Sequence, residues 1–354
     1  MQKLFGIIDA NVNRAYEGLR VLEDMARFYY NSKSVSEGLR ILKDNIRNSI
    51  MEHMSDCLSQ RDSVNDIVLS ASQEHDADRK KSALQLLEEN FKRVQEALKS
   101  IEETLKVVNR YELSKVYEGY RFTAYNLEKE FYGLYFRTFK KEKLDTDLYC
   151  LTAEEYSLGR SNIEVVKAML SAGIKIIQYR EKEKKMLHKY NECVKIRELT
   201  YDAGTTFVVN DDLDLAMMVG ADGVHIGQDD LPLEKVRELV GEEMIIGVST
   251  HSPQQAQDAI SKGADYIGVG PIFSTRTKKD VCDPVGFEYL DYAVKNVNIP
   301  FVAIGGIKEH NITEIKARGV KMIAMVTEIV GAENIEKKIE RIRKKLSSVD
   351  TGSV

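Results

Sequence analysis

The chain has 354 residues, 43% of them hydrophobic, enough to bury the cores of two domains. Its formal net charge of -5 argues against bulk binding to nucleic acid, which favours a strongly basic face, but leaves room for small anionic substrates held by a few local cations. No apolar run reaches the roughly 18 residues of a membrane span, the N-terminus has no signal-peptide pattern, and Cys57, Cys150, Cys193 and Cys282 form no CxxC pair, so a cytoplasmic protein with reduced thiols and no membrane partner is expected.

Residues 1–140 contain no proline and place Glu, Lys, Arg and Leu at three- and four-residue spacing, which predicts an all-α domain of long helices. The stretch repeats itself. Asn11, Arg14, Glu17, Leu19, Arg20, Glu23 and Asp24 match Asn90, Arg93, Glu96, Leu98, Lys99, Glu102 and Glu103 at a constant offset of 79. Two explanations stand side by side: a solvated helix face with favourable ion pairs, or an internal duplication giving two helical units about a pseudo-twofold axis. Asp9, Asn11, Asn13, Arg14, Arg20 and Arg27 are candidates for a phosphate-binding cleft. Residues 141–146 are polar and charged and read as a linker.

From 147 to 346 the texture changes. Eight short apolar runs begin at 147, 174, 206, 223, 244, 266, 300 and 322. They alternate with amphipathic stretches such as NIEVVKAMLSAG and PLEKVRELVG. Eight βα repeats in this length predict a (β/α)8 TIM barrel, giving an α/β fold preceded by a separate all-α domain. Residues 347–354 read as a disordered tail. A barrel builds its site at the C-terminal ends of its strands, so polar residues should gather where each run stops. They do: Gln178-Tyr-Arg180-Glu-Lys182, Asn210-Asp211, His225 through Asp230, Ser249-Thr250-His251, Thr275 through Lys278, Gly305-Gly306 and Val326-Thr327.

These endings sort by chemistry. Arg180, Lys182 and Lys278 bring positive charge suited to a diphosphate. Asp211 and Asp230 are oxygen ligands on neighbouring strands, placed either to hold one Mg2+ or to pair with those cations. Gly305-Gly306 and the loop after the eighth run fit a phosphate site of backbone N–H groups. Two phosphorylated groups are therefore expected to meet in one barrel. TRTKKDVCDP, 275–284, is long and charged enough to serve as a lid.

The ordered motifs QYREK, VVNDDLDLA, GVHIGQDD, GVST, GPIFSTRTK and AIGGI resemble thiamine-phosphate synthase over the whole barrel. That resemblance implies a transferase of thiamine biosynthesis. It would join 4-amino-2-methyl-5-(diphosphooxymethyl)pyrimidine to 4-methyl-5-(2-phosphoethyl)thiazole, with loss of pyrophosphate. It implies that Gln178, Arg180, Lys182, Asn210, Ser249 and Lys278 contact the pyrimidine diphosphate, and that Arg180, Lys182 and Lys278 act catalytically on the leaving group. It implies Mg2+ on Asp211 and Asp230, and the thiazole phosphate on Thr275, Thr277, Gly306, Val326 and Thr327. The family usually has Ser where this chain has Thr327, which keeps the hydroxyl. The implied substitution is dissociative, with no protein nucleophile, and His225 is expected to pack or orient a ring rather than to act as a base.

The rival within the same barrel family is a thiazole tautomerase carrying a non-catalytic helical dimerisation domain; such an isomerase needs no diphosphate site. The N-terminal part resembles a helical domain fused to thiamine-phosphate synthases and assigned as a hydroxymethylpyrimidine-phosphate kinase. It has no P-loop, GxxxxGK[ST], so the residues themselves do not favour a kinase over a scaffold. Partners are expected to be phosphorylated small molecules, with a homo-oligomer left open.

Overall fold

A computed structural model describes residues 2–50, 82–275, 277 and 282–350. The expectations for Lys278, for half of the 275–284 lid and for residues 351–354 fall outside these residues, whereas 347–350, read as the start of a disordered tail, continue the last helix, Ile335–Asp350. The chain divides into two compact units, Met1–Thr138 and Phe139–Val354.

The described residues of the first unit form helices joined by short turns. Helix α1 (Gln2–Asp24) runs into a single π-helical turn and is followed by α2 (Lys33–Ser49), α3 (Ala83–Val107) and α4 (Tyr111–Lys143). Helices α1 and α3 pack on each other through matching stripes. Ile8, Ala15, Leu19 and Leu22 are buried on one, and Leu87, Val94, Leu98 and Ile101 on the other, related again by the offset of 79. The polar members of the repeat divide: Arg14, Glu17, Arg20 and Asp24 with Arg93, Glu96, Lys99 and Glu103 are exposed, as a solvated face requires, whereas Asn11, Asn90 and Glu102 are buried. Gly18 lets the helices approach: a Cβ there would stand 2.8 Å from Val94 and 3.2 Å from the Asn90 carbonyl oxygen. Ion pairs repeat as well. Glu23 pairs with Lys43 of α2, and Glu102 receives Lys106 at 2.7 Å and Arg121 of α4 at 3.3 Å.

Of the six candidate cleft residues, Arg27 lies in the π-helical turn after α1, and the five within α1 do not share a face. At about 100° per residue, Asp9, Asn13 and Arg20 form one stripe, whereas Asn11 and Arg14 lie well round the helix. Asn11 instead donates to Ser100 Oγ at 3.1 Å.

The second unit is a closed barrel of eight parallel strands in chain order: β1 (Leu148–Leu151), β2 (Ile176–Tyr179), β3 (Thr206–Asn210), β4 (Gly223–Ile226), β5 (Ile245–Thr250), β6 (Tyr266–Val269), β7 (Phe301–Ala303) and β8 (Met322–Ala324). Every predicted apolar run contains one of them. Period-two alternation divides each strand. One set, including Cys150, Ile177, Phe207, Val209, Val224, Ile246 and Ile267, packs against the surrounding helices. The other, including Tyr149, Leu151, Ile176, Val208, Ile245, Tyr266, Val302 and Met322, fills the lumen. Gln178, Asn210, His225 and Ser249 continue the lumen phase at the strand ends, which aims them into the mouth. Among the described residues no helix is long and apolar enough to cross a membrane.

The stretch read as a linker is helical through Lys143, and Leu144 is buried with the lumen residues. Charges at this junction, Lys143 within the stretch and Lys140 just before it, have partners in the barrel floor. Lys140, almost fully buried, donates to Asp265 at 3.1 and 3.2 Å. Asp265 also receives Arg237 at 2.6 Å and the Ile246 N–H at 2.8 Å. Lys143 stands 3.5 Å from Asp222, which Arg197 approaches at 2.8 Å.

Gly247 makes room for one lumen residue. A Cβ there would lie 2.1–2.4 Å from the ring and hydroxyl of Tyr266. Gly247→Ala is therefore expected to destabilise the protein by about 2–3 kcal/mol through overpacking. A urea unfolding curve that places the variant within about 0.5 kcal/mol of the parent, the range of an ordinary surface change, contradicts this view of the lumen.

Candidate active site

The strand ends open onto one cavity of about 830 Å³. It brings together every described residue of the sequence-derived set: Gln178, Arg180, Lys182, Asn210, Asp211, Asp230, Ser249, Thr275, Thr277, Gly306, Val326 and Thr327.

On one side lie the charges. Lys182 Nζ stands 3.3 Å from Asp211 Oδ2. The loop carrying Arg180 and Lys182 is held from behind: the Arg180 N–H donates to Thr152 Oγ1 at 2.9 Å, and Lys184 pairs with Glu154 and, at 2.6 Å, with Glu192. Asp211 directly follows β3 at φ +62, a left-handed conformation that Asp and Asn tolerate better than most residues. Its N–H donates to the His225 carbonyl oxygen at 2.9 Å. Asp230 folds back to accept from the Gly227 N–H at 2.6 Å.

Burial pushes the Asp211 carboxyl above the usual carboxylate range; Lys182 opposes this, and the neighbouring Asp230 carboxylate adds to it. Two carboxylates that repel each other beside a lysine form a hard-oxygen donor pair whose strain a divalent cation relieves. No cluster of three or more His, Cys, Asp or Glu side chains suited to a metal occurs among the described residues. A two-carboxylate set fits Mg2+, which keeps several waters and takes further oxygens from phosphate.

On the other side the site is backbone. Gly305 and Gly306 have φ +101 and +63. A Cβ on either would fall within 2.4–2.6 Å of Pro271 or of the Ser274 carbonyl oxygen, so only glycine fits. Thr327 opens the short helix after β8, with Val326 before it. Thr275 and Thr277 hydrogen-bond to each other at 3.2 Å in the loop after β6.

Beneath the mouth runs a chain of hydrogen bonds that the sequence did not disclose. Gln178 Nε2 donates to Tyr149 Oη at 2.9 Å, Tyr149 Oη meets Tyr266 Oη at 2.7 Å, and Tyr266 Oη meets His225 Nδ1 at 2.9 Å. His225 Nε2 then meets Ser249 Oγ at 2.9 Å. With the amide donating at one end, each phenol passes its proton onward, so His225 accepts at Nδ1 and donates from Nε2 to Ser249. Burial raises both phenols well above their ordinary value, which keeps them protonated and the chain intact. His225 thus packs against the Tyr266 ring and orients Ser249. Tyr149 and Tyr266 were missed because an aromatic residue in an apolar run reads as core; their shared lumen phase was the available signal.

Residues 148–329 match the family model described as thiamine monophosphate synthase, and residues 6–130 match that of the ThiD2 family. A thiamine-phosphate synthase of Pelotomaculum thermopropionicum is 68% identical over 200 residues, covering 56% of this chain and 92% of that protein. One from Prochlorococcus marinus is 38% identical over 346 residues, covering 98% of this chain and 96% of that one. Among solved structures, a thiamine phosphate pyrophosphorylase from Pyrococcus furiosus superposes with a TM-score of 0.54 at 35% identity, covering 59% of this chain and 98% of that chain.

Proposed function

The chain belongs to the thiamine monophosphate synthase family, and we propose that its barrel joins the pyrimidine diphosphate to the thiazole phosphate with release of pyrophosphate. One observation supports this reading above the others: a single cavity brings together two unlike sets of groups suited to anions, one of cations and carboxylates, the other of constrained backbone. A tautomerase has no use for the first.

The residues then divide the work. Arg180 and Lys182 take the diphosphate, with Lys278 assigned the same role by its motif, and their charge stabilises the leaving group as it departs. Asp211 and Asp230 would hold Mg2+, which when bound supplies Lewis-acid neutralisation of the diphosphate oxygens. Gln178, Asn210 and Ser249 orient the aminopyrimidine, whose amino group donates electrons to the methylene carbon as the C–O bond breaks. Gly306, Val326 and Thr327 receive the thiazole phosphate, with Thr275 and Thr277 beside it, so that the ring nitrogen faces that carbon. Catalysis rests on positioning and electrostatics, without a protein nucleophile. Proton exchange on a thiazole carboxylate without pyrophosphate release from the two substrates would replace this reading with the tautomerase one.

For the helical unit, the ThiD2 match supports a kinase that makes the diphosphate consumed by the barrel. The test uses the full chain with the barrel silenced by Asp211→Asn, given ATP and the pyrimidine monophosphate. ADP formed in step with the diphosphate supports a kinase; its absence leaves the scaffold reading in possession.

A further inference from the structure

One cation at the backbone side of the cavity has no part in the chemistry above. Lys308 follows the Gly305-Gly306 turn, and its Nζ stands 2.7 Å from Thr327 Oγ1 and 3.5 Å from Glu328 Oε2. Lys308 and Thr327 both line the cavity. The backbone beneath the lysine is tied to the same turn: its N–H donates to Asn311 Oδ1 at 2.7 Å, and Asn311 Nδ2 donates to the Gly306 carbonyl oxygen at 3.2 Å. Lys308 is thus fixed between Gly306 and Thr327, the two residues assigned above to the thiazole phosphate.

Glu328 does not depend on this lysine. Its other carboxylate oxygen takes Lys338 at 2.9 Å, and Lys338 is held in turn by Glu309 at 2.8 Å. The Lys308 ammonium can therefore leave Glu328 without stranding a carboxylate. What it leaves is a neutral hydroxyl and a long ion pair. What a phosphate offers is a dianion at direct hydrogen-bond range, the stronger partner for an ammonium. Backbone amides carry only partial charges and cannot turn, whereas a lysine head on a four-carbon stem can.

We propose that Lys308 is a phosphate-binding residue of this enzyme, turning from Thr327 and Glu328 onto the phosphate of the thiazole substrate and so selecting it over the unphosphorylated thiazole alcohol. The proposal rests on the reading of the barrel given above.

The experiment compares wild type, Lys308→Met and Lys308→Arg as full chains. With the pyrimidine diphosphate saturating, KM for the thiazole phosphate is expected to rise about tenfold or more in Lys308→Met and to recover largely in Lys308→Arg. KM values for the thiazole alcohol and for the pyrimidine diphosphate stay within about twofold of wild type. A merely structural role moves all three together. A thiazole-phosphate KM within about twofold of wild type in Lys308→Met overturns the proposal. Calorimetric titration with the thiazole phosphate separates the two questions, because it needs no turnover. Wild type that binds this ligand about tenfold more tightly than Lys308→Met supports the lysine even if no product forms, and equal binding removes it. Absence of product from wild type instead counts against the reading of the barrel.

Discussion

Asp211→Asn is expected to lower kcat/KM about a thousandfold while slightly stabilising the metal-free protein. The loss follows from removing one of two carboxylates proposed to hold Mg2+; several kcal/mol of leaving-group stabilisation go with it, at about 1.4 kcal/mol per tenfold. The gain follows from the same geometry. Burial and the Asp230 carboxylate raise the Asp211 carboxyl against the pull of Lys182. A carboxylate raised in the fold stabilises it only below its unfolded value, and that contribution is lost as pH rises through the folded one. At neutral pH the ionised side chain therefore costs stability, which an amide removes, and Asn accepts φ +62 as readily as Asp. The thermal midpoint in chelator should rise by about 2 °C. More than about a tenth of wild-type activity at saturating Mg2+, against the loss expected of a metal ligand, sinks the metal assignment. A lowered midpoint sinks the account of the carboxylate pair.

Asp265→Ala carries the largest expected effect on stability, about 3–5 kcal/mol, or about 10 °C. Burial already lowers the Lys140 ammonium below its ordinary value, with Asp265 opposing that shift. Without Asp265 the lysine becomes an uncompensated buried charge, and the Ile246 N–H loses its acceptor. Arg237 is less exposed to the loss because it also donates to the Gly241 and Met244 carbonyl oxygens at 2.8 Å. Adding Lys140→Met should restore about 1–2 kcal/mol, since it removes the stranded cation. A single-variant cost under about 1 kcal/mol, or no recovery in the double variant, contradicts the role given to this pair at the barrel floor.

The barrel was legible because its signal is local. Each strand announces itself as a short apolar run, and the lumen phase of Gln178, Asn210 and Ser249 delivers the polar ends to one mouth. Gly305-Gly306 was legible for a similar reason, since a pair of glycines after a strand marks a backbone that no side chain tolerates. What stayed hidden depends on distant partners. Residues 141–146 read as a linker because Asp222, which Lys143 approaches at 3.5 Å, is distant in the chain, as is Asp265, the partner of the preceding Lys140. Tyr149 and Tyr266 read as core because nothing in either run reveals that their hydroxyls meet. The helical repeat was visible at once, but its burial was not: the same spacing suits a solvated face, and only the pairing of α1 with α3 turns Asn11 and Asn90 inward.

The central claim is that two phosphorylated substrates meet in this barrel and leave as one product and pyrophosphate. The most direct measurement incubates the full chain with the pyrimidine diphosphate, the thiazole phosphate and Mg2+, and follows pyrophosphate and thiamine phosphate together. The account predicts that the two form in equal amounts, that neither forms when the thiazole phosphate is withheld, and that chelation of Mg2+ stops both. Pyrophosphate released without the thiazole phosphate, or no release with both substrates present, contradicts it.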